Sequence, residues 1–444
     1  GRVARACLGR AGAASSFGES SLERVESLTI PLAMPEFLNL LPPDAARARW
    51  LDAITHRTKL EEVSLAHALG RVLAEPVHAP HPVPPFARAE VDGYAVRASD
   101  TYGASDGLPT YLQVVGEVAM GKAPLFQILP GQAAIIHTGG MLPMGANAVV
   151  MVEHTQKVSD GEVEILRPVA AGEGVIVVGE DVEQGQRVLE AGVRLRPAEL
   201  GALAALGIVE VPVRRPPWVG ILSTGDEVVP AEQQPQPGQV RDVNSHTLIA
   251  IIRQAGGEPV FYGIVPDDAE ALYERTAKAL DACDMLVITA GSSASVRDMT
   301  AAVVNRLGAP GVLVHGVNTK PGRPTILGVA NGKPIAGLPG NPVSALINAW
   351  LFVLPALAHL QGQTHARPAP RLLAELSINL PSEAGREDWW PVRLSQSGEK
   401  WIAEPIFYKS NLIFKLAEAD GLLRVPADDT GLEAGRLVEV FLWG

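Results

Sequence analysis

The sequence predicts a multidomain α/β plus β protein whose central α/β domain has a mostly parallel sheet. Across residues 217–362, apolar β-runs alternate with helical stretches, as in βαβ units. Short β-runs separated by Gly and Pro fill residues 79–181 and recur in residues 363–444. The length of 444 residues allows about two to four domains.

These patterns of predicted strands and helices divide the chain into five predicted parts. A flexible N-terminal extension precedes a helix-containing mixed domain, which is interrupted by a small β-domain. The α/β domain follows, and a barrel-like β-domain ends the chain. The predicted bounds are 1–33 for the extension, 34–78 plus 182–216 for the mixed domain, 79–181 for the inserted β-domain, 217–362 for the α/β domain and 363–444 for the C-terminal domain.

Helices in the N-terminal domain are predicted from apolar spacing and from prolines at helix starts. Pro43 opens a run that contains Trp50 and Ile54, and Pro197 opens another that ends at Gly207. A further helix is predicted from a second apolar set, Val63, Ala66, Leu69 and Val72.

The strands of the other domains are predicted from short apolar runs. In the inserted β-domain the runs are 91–96, 112–118, 132–137, 148–152 and 162–166, and the last run of the C-terminal domain is 437–442. In the α/β domain the runs are 219–222, 259–264, 285–289, 312–315, 325–329 and 334–337, with helices near 245–255, 268–280 and 298–307. The apolar stretch Leu346–Leu360 is interrupted by Asn348 and Pro355, so a buried helix is predicted rather than a membrane span.

Composition excludes several classes of protein. The net charge of −12 argues against a general nucleic-acid surface, which needs a basic excess. Two cysteines, Cys7 and Cys283, exclude a disulfide framework and a cysteine-based metal site. No apolar segment typical of a signal peptide follows the N-terminal arginines. We therefore expect a cytoplasmic protein with neither nucleic acid nor a membrane as a partner.

Four loops follow β-runs of the α/β domain, where ligands bind in open parallel sheets. Small residues and hydroxyls in these loops can close around an anion, and Lys320 adds fixed positive charge. The candidate substrate-binding residues are Ser223, Thr224, Gly225 and Asp226 in the first loop, Gly291, Ser292, Ser293 and Ser295 in the second, Arg323 in the third, and Pro339, Gly340, Asn341 and Ser344 at the last. Together they predict a ligand that carries phosphate.

Carboxylates beside these loops predict a cation between them and the ligand. Mg²⁺ takes one or two carboxylates together with phosphate oxygens. The acidic residues at or near the loops are Asp226, Glu227, Asp242, Asp267, Asp268 and Asp298. Taken singly, each loop also fits a turn, a helix start or a solvated surface charge. The functional interpretation rests on four such loops at matching strand ends.

The motifs taken in series resemble the molybdopterin molybdenumtransferase family, the molybdenum insertion enzymes related to the C-terminal part of gephyrin. The resemblance runs from about Pro35 to Trp443. The carrying segments are 91–96 (VDGYAV), 137–143 (HTGGMLP), 179–182 (GEDV), 223–227 (STGDE), 265–268 (VPDD), 320–324 (KPGRP), 337–344 (GLPGNPVS) and 419–422 (ADGL).

The resemblance implies an elongated homodimer of four-domain subunits. Its substrates are adenylylated molybdopterin and molybdate, its products are molybdenum cofactor and AMP, and it depends on Mg²⁺. Other proteins of molybdenum cofactor biosynthesis are implied as further partners. The implied catalytic residues are Asp92, Thr138 and Asp181 from the inserted β-domain of one subunit, with Glu227, Asp298 and Lys320 from the α/β domain of the other. The implied metal ligands are Glu227, Asp267 or Asp268, and Asp298.

This sequence departs from the common family pattern at three positions. Ser292 stands where a second Gly is usual, in a loop one residue shorter before Asp298, and Arg323 stands where a second Lys is common. Val91 replaces a usual Met. The first two departures leave a tungstate-preferring insertase open. Two other functions stay open, a catalytically silent scaffold of the same fold and a pterin-nucleotide hydrolase that inserts no metal.

Overall fold

The computed structural model describes residues 40–290, 294–364 and 368–443. The predicted extension, residues 1–33, lies outside these ranges. Elements up to the α/β sheet are listed in chain order: α1 (Pro43–Ala53), β1 (Leu60–Ser64), β2 (Val72–Leu73), β3 (Val77–His78), β4 (Arg88–Ala89), β5 (Gly93–Val96), β6 (Thr110–Glu117), β7 (Gln132–Ile136), β8 (Ala148–Met151), β9 (Thr155–Ser159), β10 (Glu162–Ile165), β11 (Val175–Ile176), β12 (Arg187–Leu189), α2 (Pro197–Ala205) and β13 (Glu210–Arg214).

The inserted β-domain is built on a six-stranded sheet in the order β8-β5-β7-β6-β10-β9. Its strands cover the five runs expected from the sequence and add β9. Strand β5 is buried along its whole length because it pairs with β7 on one side and β8 on the other. Two loops therefore leave the sheet side by side, the one before Gly93 and the one after Ile136.

The helix predicted from Val63, Ala66, Leu69 and Val72 is wrong. Residues 60–64 form β1, which pairs antiparallel with β13, and a short 3₁₀ turn follows at Leu65–His67. Ala66 and Leu69 are exposed, so the set has no common buried face. The pairing of β1 with the distant strand β13 outweighs the helix-like spacing of these apolar residues.

Helix α1 packs on the α/β sheet, whereas β1 and β2 pair with β13. Its residues Ala46 and Trp50, and Ile54 at its C-cap, are buried in the same core as sheet residues such as Ile221 and Leu338. The Trp50 indole Nε1 donates to the Gly328 carbonyl at 2.7 Å, which satisfies its one donor inside the core. The first described helix is therefore a cover for the α/β sheet.

The α/β domain follows the predicted alternation. Its elements are β14 (Trp218–Thr224), β15 (Val228–Val229), β16 (Val240–Arg241), α3 (Asn244–Gln254), β17 (Glu258–Val265), α4 (Ala269–Ala282), β18 (Met285–Ala290), α5 (Ala294–Leu307), β19 (Pro310–His315), β20 (Thr319–Lys320), β21 (Ile326–Ala330), β22 (Lys333–Pro339), α6 (Pro342–Asn348) and α7 (Leu354–Leu360).

The main sheet has the order β17-β14-β18-β22-β21-β19. The first four strands are parallel, and β21 runs antiparallel to both β22 and β19. Side chains alternate between the two faces, so Ile221 packs under α1 and α3 while Leu222 packs under α4. Strands β14, β17, β18, β19 and β22 all end at one edge, and the predicted site loops leave from that edge.

Helices α6 and α7 are joined by a π-helical segment, Ala349–Val353, into one continuous apolar helix. Among the described residues, Pro342–Leu360 is the stretch long and apolar enough to cross a membrane, and 67% of its most apolar window is buried inside the protein. Its side chains, Phe352 and Leu357 among them, lie in the core of the α/β domain. The stretch Pro342–Leu360 is therefore a buried helix, as the sequence predicts.

The C-terminal domain is a closed barrel. Its elements are β23 (Arg371–Leu376), β24 (Leu380–Pro381), β25 (Glu387–Ser397), β26 (Lys400–Pro405), α8 (Ile413–Ala417), β27 (Gly421–Val425), β28 (Gly431–Leu432) and β29 (Leu437–Leu442). Five strands close the ring, since β25 pairs with both β26 and β27 while β23 and β29 complete the circuit. Strand β20 of the α/β domain pairs with β25, which joins the barrel to the loop at the sheet edge.

Asp284, just before β18, ties three segments together. Its carboxylate accepts two hydrogen bonds from the Arg215 guanidinium at 2.8 and 2.9 Å, one from the Trp218 amide at 2.7 Å, and lies 2.7 Å from the His56 Nε2 atom. Burial raises the pKa of Asp284, but the hydrogen bonds from Arg215, His56 and Trp218 outweigh it, so the net pKa lies below its ordinary value.

We predict that Asp284→Asn destabilises the protein by about 3 kcal/mol, because it leaves the Arg215 charge without its partner. In the wild type, the lowered pKa means that this stabilisation is present above the ordinary carboxyl range and is lost as the pH falls below about 4. Denaturant unfolding at pH 7 and pH 3 measures both effects. The exposed neighbour provides a control, Asp281→Asn, and equal stability of the two variants at pH 7 would contradict the assignment.

Candidate functional site

A basic cavity of about 440 Å³ opens at the carboxyl edge of the sheet. Its walls come from the loop after β19, the start of α6 and the barrel. Four cationic side chains line it, Lys320, Arg323, Arg386 and Lys409, and none of its described lining residues is acidic. The other lining residues include Pro339, Asn341, Ser344, Trp390, Tyr408 and Ser410. The charge and the hydroxyl groups suit a small oxyanion.

Lys320 reaches the cavity from β20. The pairing of Lys320 with Asp388 in β25 fixes its backbone, and its Nζ atom lies 5.4 Å from the centre of the Trp390 ring. Trp390 is buried among residues of the barrel core, so it provides a fixed wall for the ammonium group.

A buried amide holds the loop that carries Lys320 and Arg323. The Asn348 Nδ2 atom donates to the Pro321 carbonyl at 3.1 Å, and the Thr325 hydroxyl donates to the Asn348 Oδ1 atom at 3.1 Å. Gly322 has φ of +113°, and a Cβ there would lie 1.8 Å from Asn348 Nδ2. From the sequence alone, Asn348 is recognisable only as an interruption of an apolar run.

Arg386, which the sequence did not single out, is fixed by Asp388. The guanidinium donates to both oxygens of the Asp388 carboxylate at 2.7 and 3.0 Å, and Asp388 itself is fully buried. Asn341 occupies the N-cap position of α6 without capping it, and its Nδ2 atom instead donates to the Ser410 hydroxyl at 2.9 Å. These contacts join the α/β domain to the barrel around the cavity.

The carboxylates form a second group at the ends of β14 and β17. Gly225 turns the chain with φ of +136°, and a Cβ there would lie 2.5 Å from the Glu227 Oε2 atom. The Asp267 amide donates to the Asp226 Oδ1 atom at 3.2 Å. Burial raises the pKa of Asp267, and the nearby charges of Asp226 and Glu227 raise it further. These three acidic residues therefore lie close enough to repel one another.

Asp268 has a different position. Its side chain accepts a hydrogen bond from the Ala271 amide at 2.8 Å as the N-cap of α4. Asp298 is exposed in the first half of α5. Ser223 donates to the Asp242 Oδ2 atom at 2.8 Å, and Thr224 donates to the Thr289 carbonyl at 3.2 Å, so both hydroxyls have partners inside the fold.

Strand β18 lies between β14 and β22 in the sheet, and so between the strand ends of the two groups. Gly291, Ser292 and Ser293 fall outside the described residues, as does the side chain of Ser295. Strand β14 is two strands away from β22 in the sheet. At about 4.8 Å per strand, the nearest strand ends of the carboxylate group and the basic cavity, β14 and β22, are roughly 10 Å apart along one edge. The crevice therefore suits an extended ligand.

In the inserted β-domain, Asp92 and Thr138 are brought together. The Asp92 Oδ1 atom accepts hydrogen bonds from the Thr138 amide at 2.7 Å and the Thr138 hydroxyl at 3.1 Å. The amide and then the hydroxyl lower the pKa of Asp92. His137 lies beside this pair, with its Nε2 atom 3.1 Å from Glu117. All these side chains and Asp181 are exposed, and none lines the basic cavity of the same chain.

The number and chemistry of the donors in the carboxylate group decide whether it suits Mg²⁺. In the part of the chain that the structure describes, no group of three or more His, Cys, Asp or Glu side chains is placed to hold a metal ion. Mg²⁺ needs fewer protein ligands, because it keeps several waters and binds substrate phosphates. Asp226, Glu227 and Asp267 supply hard oxygen donors. Burial and then the charges of Asp226 and Glu227 raise the pKa of Asp267, and a cation would offset those charges. The donors fit Mg²⁺ shared with a phosphate ligand.

Comparisons with known proteins match nearly the whole described chain. Three family models match in series, "MoeA N-terminal region (domain I and II)" over residues 41–207, "Probable molybdopterin binding domain" over 220–359 and "MoeA C-terminal region (domain IV)" over 374–443. The molybdopterin molybdenumtransferase of Nostoc sp. is 34% identical over 385 residues, which cover 86% of this chain and 88% of the relative. That of Haemophilus influenzae is 32% identical over 404 residues, which cover 90% and 98%.

A crystal structure of the molybdopterin biosynthesis MoeA protein from Pyrococcus horikoshii matches with a TM-score of 0.79 at 35% identity, covering 91% of this chain and all of that one. The fold and site thus define a class, multidomain proteins of molybdenum cofactor biosynthesis with a basic cavity at the edge of an α/β sheet. Within it, this chain belongs to the molybdopterin molybdenumtransferase (MoeA) family.

We predict that Gly322→Ala displaces the loop of Lys320 and Arg323. The new Cβ meets Asn348 in a packed site, which costs about 1–3 kcal/mol of stability, and binding of molybdate weakens with it. Thermal unfolding and calorimetric titration with molybdate measure the two effects. Gly121→Ala is the control, since Gly121 has φ of +72° but no atom near its missing Cβ. Unchanged molybdate affinity in Gly322→Ala would refute the role of the loop.

Proposed function

We propose that this protein inserts molybdenum from molybdate into adenylylated molybdopterin, releasing AMP and molybdenum cofactor. One observation carries the proposal: a basic cavity and a carboxylate group share one edge of the sheet, with their nearest strand ends roughly 10 Å apart. The names of the relatives support it, since they are molybdopterin molybdenumtransferases. The proposed setting is the cytoplasm, with neither a membrane nor nucleic acid as a partner.

The basic cavity is the proposed molybdate site. Lys320, Arg323, Arg386 and Lys409 offset the charge of a dianion, and the hydroxyls of Ser344 and Ser410 add hydrogen-bond donors. Arg386 is held by Asp388 and Lys320 by β20, so both present their charges without reorganisation. Tungstate carries the same charge as molybdate, so the cavity would also suit an insertase that prefers tungstate. The assay below therefore includes both oxyanions.

The carboxylates are the proposed Mg²⁺ ligands on the pyrophosphate. Glu227 and Asp267 would hold the ion with Asp226 near them, while Asp298 lies on the next helix along the edge. Bound there, Mg²⁺ would neutralise charge on the phosphoanhydride. The turn at Gly225 sets the direction of Glu227. Glu227 would thereby fix the position of the ion and, through it, of the pyrophosphate. The loop 291–295 is a proposed contact of the substrate, whereas the buried hydroxyls of Ser223 and Thr224 are directed to partners inside the fold.

The inserted β-domain is proposed to complete the site of a second subunit. Asp92 and Thr138 form an exposed hydrogen-bonded pair, and Asp181 is exposed in the same domain. None of them lines the basic cavity of their own chain, so a partner chain could receive them. The protein is therefore proposed to be a homodimer with sites shared between subunits.

We predict that AMP release from adenylylated molybdopterin requires Mg²⁺ and increases with molybdate. Glu227→Gln, Asp267→Asn and Asp298→Asn should each lower the rate about tenfold or more, because each removes charge from the metal site. Asp268→Asn is the matched control, since it removes a neighbouring charge while asparagine still caps the helix, and it should leave the rate unchanged.

The same assay distinguishes the other functions. A silent scaffold releases no AMP, a hydrolase releases AMP at a rate independent of molybdate, and a tungstate insertase responds to tungstate instead. Full activity in EDTA would refute the metal assignment.

We predict that Lys320→Ala weakens molybdate binding about ten- to a hundredfold, the range for hydrogen bonds to charged groups. Lys320→Arg should recover little, because a planar guanidinium does not replace a compact ammonium. Calorimetric titration measures both variants. Lys278→Ala, which removes an exposed lysine from α4, is the control. If Lys278→Ala and Lys320→Ala bind molybdate with equal affinity, Lys320 is not part of the site.

We predict that chains carrying Asp92→Asn and chains carrying Lys320→Ala are each inactive alone but regain activity when co-expressed. In a mixed dimer with shared sites, one site receives both substitutions and the other receives neither. AMP release by the purified mixed dimer measures the recovery. If Asp92 and Lys320 serve the same chain, both sites stay damaged and no activity returns.

A further inference from the structure

A second cavity, of about 370 Å³, lies at the opposite edge of the α/β sheet. It opens near Glu258, where β17 begins, and shares no lining residue with the basic cavity. Strand β14 has seven residues, so the two edges are roughly 20 Å apart. The walls come from the turn before β2, from Arg194, from the end of α3 and from Gln361 after α7.

Arg194 forms one wall of this cavity and has guanidinium N–H groups that are not used in hydrogen bonds within the protein. Its guanidinium donates to the carbonyls of Gly70 and Ala255 and to the Gln361 Oε1 atom, at 3.1–3.2 Å. These contacts use three of its five N–H groups. Burial alone lowers the pKa of Arg194, with no contribution from a carboxylate. The charge is thus partly removed from water and has no acidic partner among the described residues.

Gly256 allows this close approach. It has φ of +84° after the end of α3, and a Cβ there would lie 3.3 Å from the Arg194 Nη1 atom. The end of a helix carries a partial negative charge, which disfavours an anion. Here the Arg194 Nη2 group donates to the Ala255 carbonyl and offsets that charge.

Two more arginines face the same cavity. Arg71 donates to the Arg214 carbonyl at 2.8 Å and pairs with Glu61. Arg253, in the last turn of α3, has an exposed side chain with no hydrogen-bond or ion-pair partner in the described ranges. Glu258 is the one acidic residue among the described residues that line the cavity. Because Glu61 offsets the charge of Arg71, the cavity keeps two cationic side chains without an acidic partner among the described residues, Arg194 and Arg253, beside the one carboxylate of Glu258.

We infer that this cavity binds a small organic oxyanion, a phosphomonoester or a carboxylate, at a site separate from that of the proposed reaction. The spare donors of Arg194 and the free guanidinium of Arg253 contact the anionic group, while Leu69 and Pro216 pack on its carbon part. A volume of about 370 Å³ has room for such a molecule.

The test is calorimetric titration of the full-length protein with glycerol phosphate, inorganic phosphate and malonate, repeated on three variants. Arg253→Ala should weaken binding about tenfold, the effect of losing one charge-assisted contact. Arg49→Ala removes an exposed arginine from α1 and should bind as the wild type does. Lys320→Ala should also retain binding, which separates this cavity from the proposed molybdate site. AMP release by Arg253→Ala should be unchanged.

Hydrogen exchange locates the ligand. The amides of residues 69–71 and 255–258 should be protected by the anion in the wild type and not in Arg253→Ala. Preference for glycerol phosphate or for malonate identifies the source of the oxyanion, and either supports the inference. Failure of all three to bind at millimolar concentration overturns it, as does equal affinity in Arg253→Ala and Arg49→Ala. Loss of binding in Lys320→Ala alone overturns it as well.

Discussion

The amide of Asn348 fixes the positive charge on which the proposed molybdate site depends. It is fully buried in an otherwise apolar helix, where an unsatisfied amide would cost stability. Its Nδ2 atom donates to the carbonyls of Pro321 and Ser344, and its Oδ1 atom accepts from Thr325. The helix widens into a π-helical segment directly after it. The loop of Lys320 is thus held by the protein core.

The edge of the sheet separates charges of opposite sign. The cations gather beyond β22 and β19, where the barrel supplies Arg386 and Lys409, and the carboxylates gather beyond β14 and β17. Had these groups been adjacent, they would have neutralised each other. Because the nearest strand ends, β14 and β22, are two strands apart, these carboxylates do not pair with the cations of the cavity, of which Arg386 is already paired with Asp388. A ligand with a phosphoanhydride can meet both groups at once.

The sequence predicted most of the α/β sheet because strands buried on both faces read as continuous apolar runs, as β18 does. It failed at β1, because the spacing of Val63 and Leu69 fits a helix while the pairing partner lies far along the chain. Arg386 could not be found, since no local pattern shows which barrel residue faces the sheet. The role of Asp268 was within reach, because an Asp directly before a helix is a common N-cap.

The position of helix α1 also bears on synthesis of the chain. The indole of Trp50 has its partner at Gly328, 278 residues further along. A ribosome therefore releases α1 long before the strand it covers exists, and the mixed and inserted domains emerge in between. During that interval the apolar face of α1 has no native surface to pack on. Trp50 thus stays without its native partner until β21 has been synthesised, and apolar surface exposed in this way is what chaperones bind.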